Sequence, residues 1–323
     1  MDEPVPLARL REEIAHDLAG GAAALDGLLA EWSSCGLIEL LPDRPGSAPA
    51  DGALALIESP AGPARMQCLG TDCDWFAPYS HLSSDGEQAP VIDACGQIAG
   101  TLGLIRIEGG RTRIVPRELL AATFRFHLVE ALLEHNQSVA LHCAVLVKEG
   151  SAIVLMGPPG TGKSTMTLFA GRAGFAIGGD DIAFLDNETQ SVAALALPLT
   201  LKSGSREKAR GAGFPIDTTR IVPRNDGVDV LYLPIPNDPI GGAIPVRAIV
   251  RLDRSDEKQP ALRAWTKTDC LDLLCREARS RSGSASIETF RALLGMVEQA
   301  ETLVLSYDEA EHAVSLLERH VSG

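Results

Sequence analysis

Long apolar runs are missing from this sequence. Nothing approaches the ~18–20 residues of a membrane helix, and the longest candidate, Val192 to Leu201, is interrupted by Pro198. The acidic start, MDEPVPLARLREEIAHDL, also lacks the apolar stretch of a secretory signal. Basic charge is scarce: 29 Lys and Arg stand against 43 Asp and Glu, for a net charge of −14. A broad nucleic-acid interface is therefore excluded, whereas a local basic pocket for one nucleotide is not. Only 6 of the 29 basic residues are Lys, so a Lys inside a motif is informative. The seven cysteines (Cys35, Cys68, Cys73, Cys95, Cys143, Cys270, Cys275) form no CxxC and no Cys/His zinc spacing. Reduced thiols in a cytoplasmic protein are the expectation. Internal repeats and low-complexity tracts are absent as well.

What is present is enough apolar residue, 45%, to bury a proper core. A chain of 323 residues predicts two domains, or one large domain with an appendage. Residues 7–40 read as two helices, with Leu7, Leu10, Ile14 and Leu18 on one face and Leu25, Leu28, Leu29 and Trp32 on the next. A Pro/Gly/Ala linker follows, PDRPGSAPADG. Residues 53–115 show short apolar runs broken by turn signals and read as β-rich, with a hairpin turn at 108–110. The stretch Cys68–Ser84 has no clear pattern. Pro116 opens a helix over Arg117 to His135. VALHCAVLVKEGSAIVLMG reads as two strands around a Lys-Glu-Gly turn. A helix at Thr165–Ala173, a strand at Phe175–Ile177 and a hairpin to about Leu197 come next. Residues 198–244 read as loop-rich and 245–254 as a strand. The tail reads as helices near 268–281 and 286–299, a strand TLVLSYD and a closing helix from about Asp308.

The chemistry concentrates in SAIVLMGPPGTGKSTMTLFAG. The loop Gly157-Pro158-Pro159-Gly160-Thr161-Gly162-Lys163-Ser164-Thr165 matches G-x-x-x-x-G-K-S between an apolar strand and a helix. About one chance match is expected per hundred such chains. Successive amides of such a turn, with a helix N-terminus behind them, cradle phosphate. Lys163 can reach the β- and γ-phosphates of ATP, and the Ser164 hydroxyl can serve Mg²⁺. Some twenty residues on comes Gly178-Gly179-Asp180-Asp181. Adjacent carboxylates can divide two roles, metal ligand and acceptor of a hydroxyl proton, and their repulsion raises one pKa. His142 lies on the strand before the loop, where a lone His is by default a core residue.

LHCAVLVKEGSAIVLMGPPGTGKSTMTLFAGRAGFAIGGDDIAFLD resembles the nucleotide-binding core of the HPr kinase/phosphorylase family and its HPr-kinase-like relatives. The likeness is good over about 139–190 and loose elsewhere. It implies an α/β fold with a P-loop core related to phosphoenolpyruvate carboxykinase, here carrying a small helical and β-rich N-terminal region. It also implies ATP- and Mg²⁺-dependent phosphorylation of a serine hydroxyl, and a homo-oligomer. Carried over, Asp180 is the catalytic base, His142 hydrogen-bonds and orients it, and Asp181 and Ser164 are metal-site residues. The family's E-x-R-G-x-G signature falls at Lys208-Ala209-Arg210-Gly211-Ala212-Gly213. With Lys208 in place of the Glu, and Glu207 one residue off, the resemblance does not carry over phosphorolysis or HPr as substrate. LTLKSGS (199–205) looks like the HPr-kinase-like proteins of biosynthetic gene clusters, some of which phosphorylate ribosomally made peptides. The helices of 7–40 resemble the helical half of PqqD-like domains, which bind leader peptides. The strands that precede those helices in that family are not found before them here.

The expected organisation is 1–45 helical, 46–116 β-rich and 117–323 kinase-like. The expected partner is a peptide or protein serine, with no nucleic acid and no membrane. Lys202, Arg206 and Arg210 are candidates to clamp phosphate or acceptor. Besides a binding module whose phosphate loop has lost its activity, two alternatives stand beside this reading. One is a kinase of a small-molecule hydroxyl. The other is a switch ATPase, since GPPGTGKST is also the wording of ring ATPases, although no LSGGQ-like signature accompanies it.

Overall fold

The computed structural model describes residues 7–15, 18, 20–35, 38–40, 52–84, 89–108, 110–255, 259–279 and 286–322. Most of the linker expected after residue 41 lies outside them. Helices α1 (Leu7–Ile14) and α2 (Gly21–Ser34) pack through a small cluster centred on Leu25 and Leu29. Strands β1 (Ala53–Ile57), β2 (Ala64–Leu69), β3 (Ile92–Ala99), β4 (Leu102–Ile107) and β5 (Arg113–Pro116) form one sheet in that order. All its neighbours are antiparallel except β2 and β3. Buried Asp26 of α2 accepts from the Thr101 amide (3.0 Å) and hydroxyl (2.7 Å), which ties α2 to the β3–β4 turn.

Cys68 and Cys73 are bonded to each other, against the expectation of seven reduced thiols; the tight chain reversal after β2 brings their Cα atoms to 5.8 Å. The stretch without a clear pattern is a 3₁₀ turn, Asp74–Tyr79, whose Trp75, Phe76 and Tyr79 pack around Phe124.

Helix α3 (Leu120–His135) follows a 3₁₀ turn at Arg117–Leu119. It is buried on two sides. Leu120 and Phe124 stand against β4 and β3, while Ala121 packs on its other side with Val230 and Tyr232. A charge on one of the buried faces of such a helix is exceptional, yet Arg125 is 6% exposed.

The expected two strands after α3 are three: β6 (Val139–His142), β7 (Ala144–Lys148) and β8 (Ser151–Met156). The chain changes sheets at Cys143, whose amide donates to the Asp181 carbonyl. The β7–β8 turn has Glu149 at φ 51° and Gly150 at φ 74°, the left-handed pair of a tight hairpin. Then come α4 (Lys163–Arg172), β9 (Ala176–Gly179), β10 (Ile182–Leu185) and β11 (Val192–Ala194).

The expected loop at 198–244 contains β12 (Leu199–Leu201), α5 (Ser203–Gly211), β13 (Ile221–Pro223) and β14 (Asp229–Leu233). Its strands are three to five residues long, too short for a sequence period to show. The tail holds β15 (Val246–Arg254), β16 (Ala261–Ala264), α6 (Lys267–Glu277), β17 (Ala278–Arg279), α7 (Ile287–Gln299), β18 (Glu301–Tyr307) and α8 (Ala310–Val321). Helix α6 ends four residues earlier than expected, because β17 pairs with β6.

The central sheet runs β16-β18-β15-β8-β7-β9, with β18, β15 and β8 parallel. A second sheet runs β11-β10-β6-β17 and a third β12-β14-β13. One continuous apolar core joins Met66 and Ile105 of the first sheet, Phe124 of α3, and Leu155 and Val250 of the central sheet. Among the described residues, no helix is long and apolar enough to cross a membrane.

Candidate active site

The loop between β8 and α4 leaves the central sheet at β8, where the parallel strands meet antiparallel β7. Gly157, Gly160 and Gly162 have φ of 149°, 92° and 98°, so the loop takes turns that side-chain-bearing residues resist. Tyr307, the last residue of β18, donates from Oη to the Thr161 carbonyl at 2.6 Å and lies against Gly162. Lys163, 7% exposed, donates from Nζ to the Gly157 carbonyl at 2.6 Å. Thr165, one residue past Ser164, donates to Ser205 Oγ of α5 (2.8 Å), joining the two helix starts.

These elements enclose a cavity of about 730 Å³. Its wall includes Pro159, Gly160, Gly162, Lys163, Ser164 and Thr165 from the loop and α4. His142, Asp180 and Asp181 face it from β6 and the β9–β10 link. Gly157, Pro158 and Thr161 of the same loop do not line the cavity. Lys202, expected as a clamp, does line it. Arg206 and Arg210, expected beside it, do not: the α5 turn carries them away, and Arg206 donates to the Asp229 carbonyl. Arg224, Arg254, Glu207 and Lys208 stand in the wall instead. Lys208, at the position expected for a metal-binding Glu, contacts the Asp308 carbonyl (3.4 Å) and Glu309 (3.7 Å) at the start of α8.

The two aspartates have different surroundings. Asp180 is 4% exposed; its Oδ2 accepts from the Thr200 amide at 3.2 Å, and its Oδ1 has no hydrogen-bond partner among the described residues. Burial pushes its carboxyl up to about 7; Asp181 adds to the rise, while the Thr200 amide, the Ser164 hydroxyl and Arg125 oppose it. Asp181 is half-buried and held on both oxygens, by Arg125 Nη2 on Oδ2 (2.9 Å) and His142 Nδ1 on Oδ1 (3.3 Å). His142 therefore pairs with Asp181 and not, as expected, with Asp180. The reason is the strand register: β6 lies antiparallel to β10 with His142 opposite Ile182, which brings the imidazole beside the residue just before that strand. Burial and the nearby Lys163 charge lower the imidazole pKa, against the opposing pull of Asp181 and Glu277, which favours the neutral ring.

Burial lowers the Lys163 pKa, against the opposing pull of Glu277, Asp180, Cys143 and Asp181. Glu277 comes from the end of α6, delivered by the β17–β6 pairing that sets Ala278 opposite Leu141. Burial holds the neighbouring Cys143 thiol near 12, so it stays protonated and takes no nucleophilic role.

The donor set fits a nucleotide's terminal phosphates with a divalent cation. It has a glycine loop with successive amides, a buried lysine, a helix N-terminus, a hydroxyl at Ser164 and two carboxylates, all on one cavity. Sequence reading missed Arg125, Thr200, Glu277, Arg224, Arg254 and Tyr307. Only Arg125 carried a signal, as a lone cation within LAATFRFHL.

No protein-family model matches this chain, and no curated protein matches its sequence. Among solved structures, the HPr(Ser) kinase/phosphatase from Coxiella burnetii is similar over 57% of this chain and 99% of that one, at 12% identity and a TM-score of 0.28. A likeness this slight carries no argument about function.

Proposed function

We propose that this chain is an ATP- and Mg²⁺-dependent phosphotransferase that delivers the γ-phosphoryl group to a hydroxyl, with serine of a peptide or protein as the favoured acceptor. One observation carries the proposal. A buried carboxylate with a free oxygen, poised near neutrality, stands in the same cavity as a phosphate loop. ATP hydrolysis for a switch needs only a positioned water. A hydroxyl acceptor is served by a base whose pKa lies near the working pH.

Bound ATP with Mg²⁺ supplies the activated phosphoryl group and a Lewis acid. The loop amides from Gly160 to Ser164 hold phosphate oxygens, which compete with the Gly157 carbonyl for Lys163 Nζ. Lys163 offsets charge that develops during transfer. Ser164 Oγ and Asp181 are the ligands offered to the cation. Asp180 Oδ1, the unpartnered oxygen, accepts the hydroxyl proton while the Thr200 amide fixes Oδ2. His142 steadies Asp181. Lys202, Lys208, Arg224 and Arg254, beside Glu207, bring positive charge to the cavity wall, suited to the anionic nucleotide.

The test is label transfer from γ-labelled ATP to a panel of serine peptides, free amino acids and polyols. Transfer that depends on an added acceptor supports the proposal. Phosphate release indifferent to every acceptor sinks it and favours the switch ATPase.

A further inference from the structure

Arg125 has no part in the steps above, yet it is the most deeply buried arginine at the site. It leaves α3 one turn after Ala121, on the side facing β14. Its guanidinium carbon lies 5.6 Å from the centre of the Tyr232 ring. Nη2 reaches Asp181, while Nη1 is buried with no hydrogen-bond partner. A buried ion pair with an unfilled donor is a poor stability device, because apolar residues of similar volume fill such a site at lower cost. What the pair confers is orientation. Asp181 adjoins a second carboxylate in sequence and faces an open cavity, so repulsion from Asp180 favours turning it away. Arg125 on Oδ2 and His142 on Oδ1 hold it between them.

We infer that Arg125 is a positioning residue that fixes the Asp181 carboxylate toward the cavity as a ligand for the nucleotide's divalent cation. Asp181's role in this inference rests on the phosphotransfer reading. Because α3 stands on β3 and β4 through Leu120 and Phe124, the N-terminal sheet becomes part of the frame of the active site.

The experiment uses the full chain with a non-hydrolysable ATP analogue and Mn²⁺ as a spectroscopic probe of the cation. In Arg125→Met, Mn²⁺ affinity in the analogue complex is expected to fall about tenfold, the scale of one lost charge-assisted hydrogen bond. Asp181→Asn is expected to fall at least as far, and the double variant no further than Asp181→Asn alone. Metal-free analogue affinity and the unfolding midpoint should stay near wild type, and Arg125→Lys should recover part of the Mn²⁺ affinity. Unchanged Mn²⁺ binding in Arg125→Met, or losses that add in the double variant, overturns the inference. Should Arg125→Met fail to fold, Arg125→Lys carries the same cycle, with a smaller loss expected and an unchanged affinity again overturning it. A wild-type chain that binds analogue but no Mn²⁺ also overturns it. A wild-type chain that binds both yet labels no acceptor overturns the phosphotransfer reading and leaves the cycle readable.

Discussion

Replacing Asp180 with Asn should stabilise the protein while abolishing transfer. Burial raises this carboxyl from 3.8 to about 7. A rise of about three units corresponds to about 4 kcal/mol of differential stability. The sign follows from which state keeps the proton. Below pH 3.8 the folded and unfolded chains both hold it, and nothing is lost. As pH rises through 3.8 the unfolded chain releases its proton while the folded chain keeps it, and stability declines until the folded carboxyl ionises near pH 7. Asn is neutral throughout and can still accept the Thr200 N–H bond. Its amide NH₂ falls where Oδ1 now lacks a partner, which returns about 1–2 kcal/mol of the gain. The expected outcome is a variant more stable than wild type by about 2–3 kcal/mol at pH 8, with the difference shrinking to nothing between pH 5 and 4. Urea unfolding of the metal-free proteins at stepped pH measures it. A stability difference that does not change with pH, or a less stable variant at pH 8, refutes the reasoning.

The loop glycines supply a paired comparison. Gly162→Ala places a Cβ 2.5 Å from Tyr307 Oη at φ 98°, whereas Gly160→Ala at φ 92° meets open space. Isothermal titration with an ATP analogue should show binding lost in the first and reduced only by backbone strain of about 1–2 kcal/mol in the second. His142→Ala should slow label transfer about tenfold with analogue affinity retained, since the 3.3 Å contact that steadies the Asp181 carboxylate is removed; equal loss of both measures would place His142 in nucleotide binding. Asp26→Ala leaves the Thr101 amide and hydroxyl without their acceptor and should destabilise the protein by about 1–3 kcal/mol, read as a lower urea midpoint.

Most of the phosphate loop was legible from residue order alone. Glycines at 157, 160 and 162, a lysine at 163 and apolar residues on either side encode a strand, a tight turn and a helix within about twenty positions, and the bonds from Thr161 to the Pro158 carbonyl and from Lys163 to the Gly157 carbonyl are local. The Asp180-Asp181 pair was legible for the same reason, as a polar break between two short apolar strands. The helices of the tail carried their caps in plain sight: Thr266 accepts from the Asp269 amide and Ser286 from that of Thr289. The three short strands and the helix within 198–244 were not legible, because they exist by pairing with each other and packing on α4.

What residue order by itself determined is the presence of a phosphate cradle with two acids close behind it. Only the tertiary structure decided how those acids differ. Thr200 reaches Asp180 from 20 residues away, Arg125 reaches Asp181 from 56, and Tyr307 reaches the loop from 146. Burial of one carboxylate and pairing of its neighbour are properties of a closed, low-dielectric space, and no stretch of chain contains that space until distant segments meet around it.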